Sequence, residues 1–326
     1  MGLVVIGIDE AGYGPLLGPL TVGFSAFGVA NWSEGEPAPD LWRLLQSGVC
    51  RRATDKRGRV AIEDSKKLKL PNASTRRHPL THLERGVLCA LGVLGRSVES
   101  DASLLEHIGV RLGDQPWYAG VPIPMPQGST RQQIAIAVNM LRGAIGSTGV
   151  ELLDLRCEVI DEDRFNRIVD SEGTKAAATM SAIGALLRDA WKRWADGSRG
   201  SLRIVCDRQG GRIGYGPILS DAMPGVSVRT VEESSRGCRY ELDSDSGRAI
   251  VLFVSEAESR HLPVALASMT AKLVRELAMQ RFNRYWNARM PELKPTAGYR
   301  QDAWRWLGDA AGVVKPEERK AMIRRA

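Results

Sequence analysis

The 326-residue sequence has no CxxC pair, few histidines and no apolar run long enough to cross a membrane. Its five cysteines, Cys50, Cys89, Cys157, Cys206 and Cys238, are odd in number and widely scattered. That pattern indicates neither a disulfide framework nor a cysteine zinc site, and leaves the thiols as small core residues or inert surface thiols. Only four histidines are present, so metal chemistry would fall to carboxylates. No basic leader precedes the first apolar strand, which runs directly into acidic residues. The expectation is a cytoplasmic protein with no membrane association. Low-complexity tracts and internal repeats are also missing.

What is present is an ordinary globular composition, 43% hydrophobic and 25% charged, with a net charge of +7. The basic excess is compatible with an anionic partner, because attraction to phosphate raises encounter rates.

Residues 3–8 (LVVIGI) form a short unbroken apolar run, the pattern of a strand buried on both faces. A Gly/Pro cluster from Gly12 to Pro19 forces a turn, and a second strand-like run spans Leu20–Val29. The pair predicts a hairpin whose loop carries functional residues. Residues 31–60 are polar and basic (Arg51, Arg52, Lys56, Arg57, Arg59) and read as an excursion or flap. Leu80–Leu94 fits helix or strand. Four prolines between Gly109 and Gln127 rule out a helix there.

Helical spacing marks 131–146, and 152–160 reads as a strand. One alanine-rich helix is predicted over Ser171–Ala195, then a buried strand at Leu202–Cys206. Strands are expected at Val226–Val231 and Ala249–Val254. A long helix, opened by a proline, covers Pro263–Trp286, and a short one Gln301–Leu307. Early strands followed by alternating helices and strands indicate an α/β chain with a mixed sheet.

Three segments bear carboxylates suited to chemistry. In GIDEAGYGP (7–15), Asp9 and Glu10 stand where a buried strand meets a glycine turn. Strand neighbours point to opposite faces, so both reach one cleft only if the strand ends or bulges there. Asp207 follows the apolar strand LRIVC, and the carboxyl ends of strands are where α/β sheets build sites. Glu276 lies on the long helix, whose Ala265, Ala267, Ser268 and Ala271 would let its backbone approach the sheet. Four such acids suit Mg²⁺ or Mn²⁺. Two ions about 4 Å apart are the arrangement that phosphoryl transfer uses.

These segments resemble the type 2 ribonucleases H (ribonuclease HII). GIDEAGYGPLLGPL is similar to the family's N-terminal signature, and EDSKKL (63–68) to its DSKKL motif. IDEDRFNRIVDSEGTKAAATMSAI (160–183) and VCDRQGGR (205–212) are similar to the segments around its third acid. LPVALASMTAKLVREL (262–277) resembles its ASI-x-AK-x-x-RD helix, and AGYRQDAWRWL (297–307) its KGY segment. The motifs occur in family order along nearly the whole chain.

The resemblance implies a ribonuclease H-like fold, with a mixed central β-sheet flanked by helices. It implies one catalytic domain over 1–326, with insertions near 31–60, 109–130 and 210–250 and a C-terminal helical segment over 297–326. Asp9, Glu10, Asp207 and Glu276 would be both the catalytic and the metal-binding residues, holding two Mg²⁺ or Mn²⁺ ions. Gly12, Tyr13, Gly14, Lys66 and Tyr299 would bind substrate. Lys66 would stand near the scissile phosphate, and Tyr299 would stack beside a DNA sugar.

The implied activity is endonucleolytic hydrolysis of RNA paired with DNA, giving 5′-phosphate ends. The partner would be an RNA/DNA hybrid or a duplex with embedded ribonucleotides, met by a monomer. The sequence departs from the family at Tyr13, where an arginine is usual and a phenol cannot replace the guanidinium fork. It also has Glu276 where aspartate is usual, and Arg208 where glycine follows the third acid. Two alternatives stay open: a nuclease of altered nucleic-acid specificity, and a nucleic-acid-binding protein without turnover.

Overall fold

A computed structural model describes residues 2–210 and 212–325. Gly211, within the VCDRQGGR motif, lies outside the described residues, as do Met1 and Ala326. The strands are β1 (Leu3–Ala11), β2 (Leu20–Val29), β3 (Val49–Cys50), β4 (Val60–Ala61), β5 (Val150–Ile160), β6 (Ser201–Asp207), β7 (Ser227–Glu233), β8 (Gly237–Ser244) and β9 (Gly247–Val254). Seven of them form one sheet in the order β5-β2-β1-β6-β9-β8-β7. β1 and β2 are the expected antiparallel hairpin, while β1, β6 and β9 run parallel side by side. This is the mixed central sheet flanked by helices that the motif resemblance implied.

The alternation of side chains along β1 decides what each face holds. Leu3 and Val5 belong to one core, which packs under the helices Thr81–Val93 and Leu262–Arg289. Val4, Ile6 and Ile8 join the opposite core, covered by the helix Lys175–Trp194. A third cluster, rich in aromatics, gathers Trp117, Phe282, Trp286 and Trp306 beyond the sheet.

The Leu262–Arg289 helix is apolar on every side over its first ten residues, and most of its residues are buried. It presses closely on the sheet. A Cβ at Gly7 would fall 2.1 Å from the Pro263 carbonyl carbon, and one at Gly23 would fall 2.0 Å from the Ala267 oxygen. Ser25 and Thr21 flank Gly23 on the same face and donate to the carbonyls of Pro263 (2.7 Å) and Ala271 (2.9 Å). The small residues expected to permit this approach do so.

Several expectations are corrected. The helix expected over Ser171–Ala195 is Lys175–Trp194, starting later because Gly173 (φ 73°) ends a preceding helix, Glu162–Glu172, and Thr174 caps the new one. The strands expected at Val226–Val231 and Ala249–Val254 are present as β7 and β9, at the far side of the same sheet. β8, whose sequence GCRYELDS mixes charge with apolar residues, has no counterpart among the expected strands, while the helices Arg300–Asp309 and Pro316–Met322 lie in the expected C-terminal helical segment. Leu80–Leu94 resolves as a helix. Among the described residues no helix is long and apolar enough to cross a membrane, and all five cysteines are buried and free.

Candidate active site

Parallel pairing brings the carboxyl ends of β1, β6 and β9 to the same end of the sheet. The last β1–β6 pair is Ile8 with Cys206, and β6 ends with Asp207 opposite Val254 of β9. Asp9, Glu10 and Asp207 are therefore brought together by register alone. β1 runs without a bulge to Ala11, paired with β2 throughout. Asp9 thus lies on the face under the Leu262–Arg289 helix and Glu10 on the other, astride the end of the sheet.

After β9 the chain makes a short 3-10 turn, Ala257–Ser259, which carries Glu258. The N–H of Ala257 donates to Oδ1 of Asp207 at 2.9 Å and ties that turn to β6. Glu258 completes the cluster, as the ionisation of its members shows.

Burial, then the charges of Glu10 and Asp207, hold Asp9 well above the usual carboxylate range. Glu10 is pushed to about 7 by burial and by Asp207. Asp207 is raised by burial, against the opposing effect of the N–H groups of Ala257 and Arg208. Glu258 is raised by burial and then by Asp207 and Asp64. Asp9, Glu10 and Glu258 are each raised by the charge of Asp207, and Asp207 in turn accepts a hydrogen bond that involves Glu258, so the four acids lie near one another at this end of the sheet.

Lys66 is the cation among them. Burial alone would lower its ammonium, but Asp64, Asp9, Glu258 and Asp207 outweigh burial and hold it above its ordinary value. It reaches this position from a single helical turn, Ser65–Leu68, capped by Asp64 and anchored by a Ser268–Ser65 hydroxyl bond of 3.0 Å.

Glu276 does not join the cluster. It pairs with Lys272 at 2.9 Å and lies 3.8 Å from Lys69. The reason is helical geometry: Ser268 packs by Asp9, and Glu276 is eight residues further on, roughly 12 Å along the axis. Glu258, in the turn after β9, lies beside Asp207 instead. Its signal was legible, since it follows a buried apolar strand just as Asp207 does.

The expected substrate-binding residues group around the glycine turn. Gly12 (φ +90°) sits against the Arg275 side chain, while a Cβ at Gly14 would meet nothing within 4 Å. Tyr13 and Tyr299 are both exposed. The N–H groups of Leu16 and Leu17 donate to the Gly298 carbonyl at 2.8 and 3.1 Å, which docks the turn beside Tyr299. The Tyr299 ring lies 5.9 Å from the Lys272 ammonium and 5.4 Å from the Arg275 guanidinium.

The donor set fits a hard divalent cation in kind: four carboxylates, and a buried Glu258 oxygen, Oε2, that has no hydrogen-bond partner. The fit is not yet a coordination shell. Among the described residues no three acidic, cysteine or histidine side chains are gathered closely enough to hold a metal ion.

No protein-family model and no curated protein matches this sequence. Solved structures do. The likeness is to ribonucleases H of types 2 and 3. The ribonuclease HII of Archaeoglobus fulgidus, solved as a complex with PCNA, is 12% identical, with 98% of this chain and 93% of that one covered and a TM-score of 0.42. The ribonuclease H2 of Pyrococcus horikoshii is 15% identical over 99% and 92%, at 0.41. The Bst ribonuclease HIII, solved with Mn²⁺, is 17% identical at 0.42, and this chain covers 99% of itself but only 66% of that enzyme. At these identities and scores, likeness to the ribonucleases H carries no argument about activity, which has to stand on the residues themselves.

Proposed function

We propose that the chain is a metal-dependent endonuclease that hydrolyses the RNA strand of RNA/DNA hybrids, through Asp9, Glu10, Asp207 and Glu258. One observation carries this reading: Asp9, Glu10, Asp207 and Glu258 stand at the carboxyl ends of three adjacent parallel strands, near enough to shift one another's ionisation, with Lys66 among them. Such mutual repulsion is unfavourable for a bare protein and is relieved by a dication.

When bound, Mg²⁺ or Mn²⁺ would supply a nucleophile at neutral pH and stabilise the leaving oxygen. The four acids would hold it, drawing inward from their present spacing. The chain's own groups do the rest. Lys66 presents an ammonium to a phosphate oxygen, and the glycine turn offers unhindered backbone at Gly14 to the sugar–phosphate chain. Tyr299 gives an exposed ring for stacking, of the kind that splayed nucleotides use. Tyr13 offers a phenol in place of a guanidinium fork, which supports a preference for uniform hybrids over single RNA–DNA junctions.

The test is cleavage of a labelled hybrid with Mg²⁺ or Mn²⁺ and with EDTA, for the wild type and Asp9→Asn. Metal-dependent cutting that the substitution abolishes is the expected result. The looseness of the acids favours a second reading, a hybrid-binding protein without turnover. Tight binding with no cutting in either metal would establish that reading instead.

A further inference from the structure

The excursion between β2 and the Ser65–Leu68 turn is ordered, and it abuts the acid cluster. Trp42 anchors it, donating from its indole N–H to the Ile62 carbonyl at 2.9 Å. Val49 and Cys50 pair with Val60 and Ala61 in a short parallel ladder. Arg59 is bound to Asp55 at 2.7 Å and donates to the Gln46 carbonyl at 3.0 Å.

Arg51 joins this excursion to the candidate active site. Its guanidinium lies 4.3 Å over the Trp42 ring, pairs with Glu63 at 2.5 Å, and donates to the Ser259 carbonyl at 2.7 Å. Glu63 opens the EDSKKL segment that carries Lys66, and Ser259 follows Glu258. One side chain thus links the excursion to both.

These pairings use the local carboxylates, Asp55 and Glu63. Arg52, Lys56 and Arg57 are exposed, and their side-chain cations have no carboxylate oxygen within 4.0 Å among the described residues. Arg52 and Lys56 border an open hollow of about 560 Å³, floored by Trp42 and Val49. A site lined by four acids repels a polyanion, so a nucleic acid can settle there only if positive charge nearby outweighs that repulsion. The excursion supplies the charge at the rim.

We propose that residues 46–60 form a phosphate-backbone clamp, in which Arg52, Lys56 and Arg57 grip the duplex beside the acid cluster. The proposal rests on the nucleic-acid reading above. It concerns binding alone, so it is measured without turnover.

The experiment is fluorescence anisotropy of a labelled RNA/DNA hybrid with the full chain, in EDTA, across a salt series. Each lost phosphate contact should flatten the slope of log K against log salt by about 0.9. Arg52→Ala/Lys56→Ala/Arg57→Ala should therefore lower the slope by about 2 to 3 and weaken binding on the order of 10-fold or more at low salt. Arg52→Lys/Arg57→Lys should keep the wild-type slope. All three side chains are exposed, so the thermal melt should be unchanged. A wild type that binds while the triple variant matches it in slope and affinity overturns the clamp and leaves the function reading intact. A wild type that does not bind hybrid at all overturns both.

Discussion

Arg324 donates from Nη1 to the carbonyl of Gly12 at 2.5 Å and from Nη2 to that of Tyr13 at 3.0 Å, across more than 300 positions of sequence. It is only 2% exposed, and its guanidinium stacks 3.9 Å from the Phe165 ring centroid. A guanidinium from the far end of the chain thus braces the glycine turn from beneath, in the turn where Tyr13 replaces the arginine usual in the resembled family.

Arg324→Ala should destabilise the chain by about 2–4 kcal/mol, because it empties a buried site and leaves part-buried carbonyls without their charged donor. Arg324→Lys should recover only part, since an ammonium cannot serve two carbonyls in fork geometry. Urea unfolding of the three proteins measures this. A wild-type midpoint for Arg324→Ala would remove Arg324 from the account of the turn.

Glu258 and Glu276 give opposite expectations. Glu258→Gln should lower metal-dependent cleavage by about 100-fold or more, at or beyond the loss seen when groups merely supporting metal ligands are removed. Glu276→Gln breaks a pair with Lys272 outside the cluster and should stay within a few-fold of wild type (an estimate from modest ion-pair worth). The reverse order of effects would restore Glu276 as the fourth acid and sink Glu258.

Gly23→Ala should cost about 1–3 kcal/mol or more, as overpacking does. The new methyl meets the Ala267 backbone, which cannot rotate away as a side chain could. The melting temperature should drop accordingly, whereas Gly14→Ala, facing open space, should leave it unchanged. Equal melting points for the two variants would refute the close helix–sheet contact.

Glu162 sets a pH dependence. Its Oε1 accepts from the Tyr118 hydroxyl at 2.7 Å, and its Oε2 is buried without a partner. Burial raises it from 4.5 to about 7. Between those values the folded chain keeps a proton that the unfolded chain has released, so stability falls as pH rises through this window. The loss is on the order of 3 kcal/mol and is fully present above about pH 7. Glu162→Gln, neutral throughout, should lack this decline when unfolding is compared at about pH 5 and about pH 8. A decline identical to wild type would show that other groups produce it.

The sequence by itself determined the hairpin of β1 and β2, the strand ending in Asp207 and the long helix from Leu262. Unbroken apolar runs, a glycine turn and a leading proline are local signals that little else can satisfy. It also singled out Asp9, Glu10 and Lys66, because each lies in a short motif at the end of a strand or the start of a helical turn. Tertiary structure alone decided the rest. Which fourth acid completes the cluster depends on where parallel strands end and how far a helix has risen. Glu258 and Glu276 look equally eligible along the chain, yet only the first lies within range of Asp207. The brace from Arg324 and the bridge through Arg51 were likewise hidden, since nothing local reveals a contact between residues hundreds of positions apart.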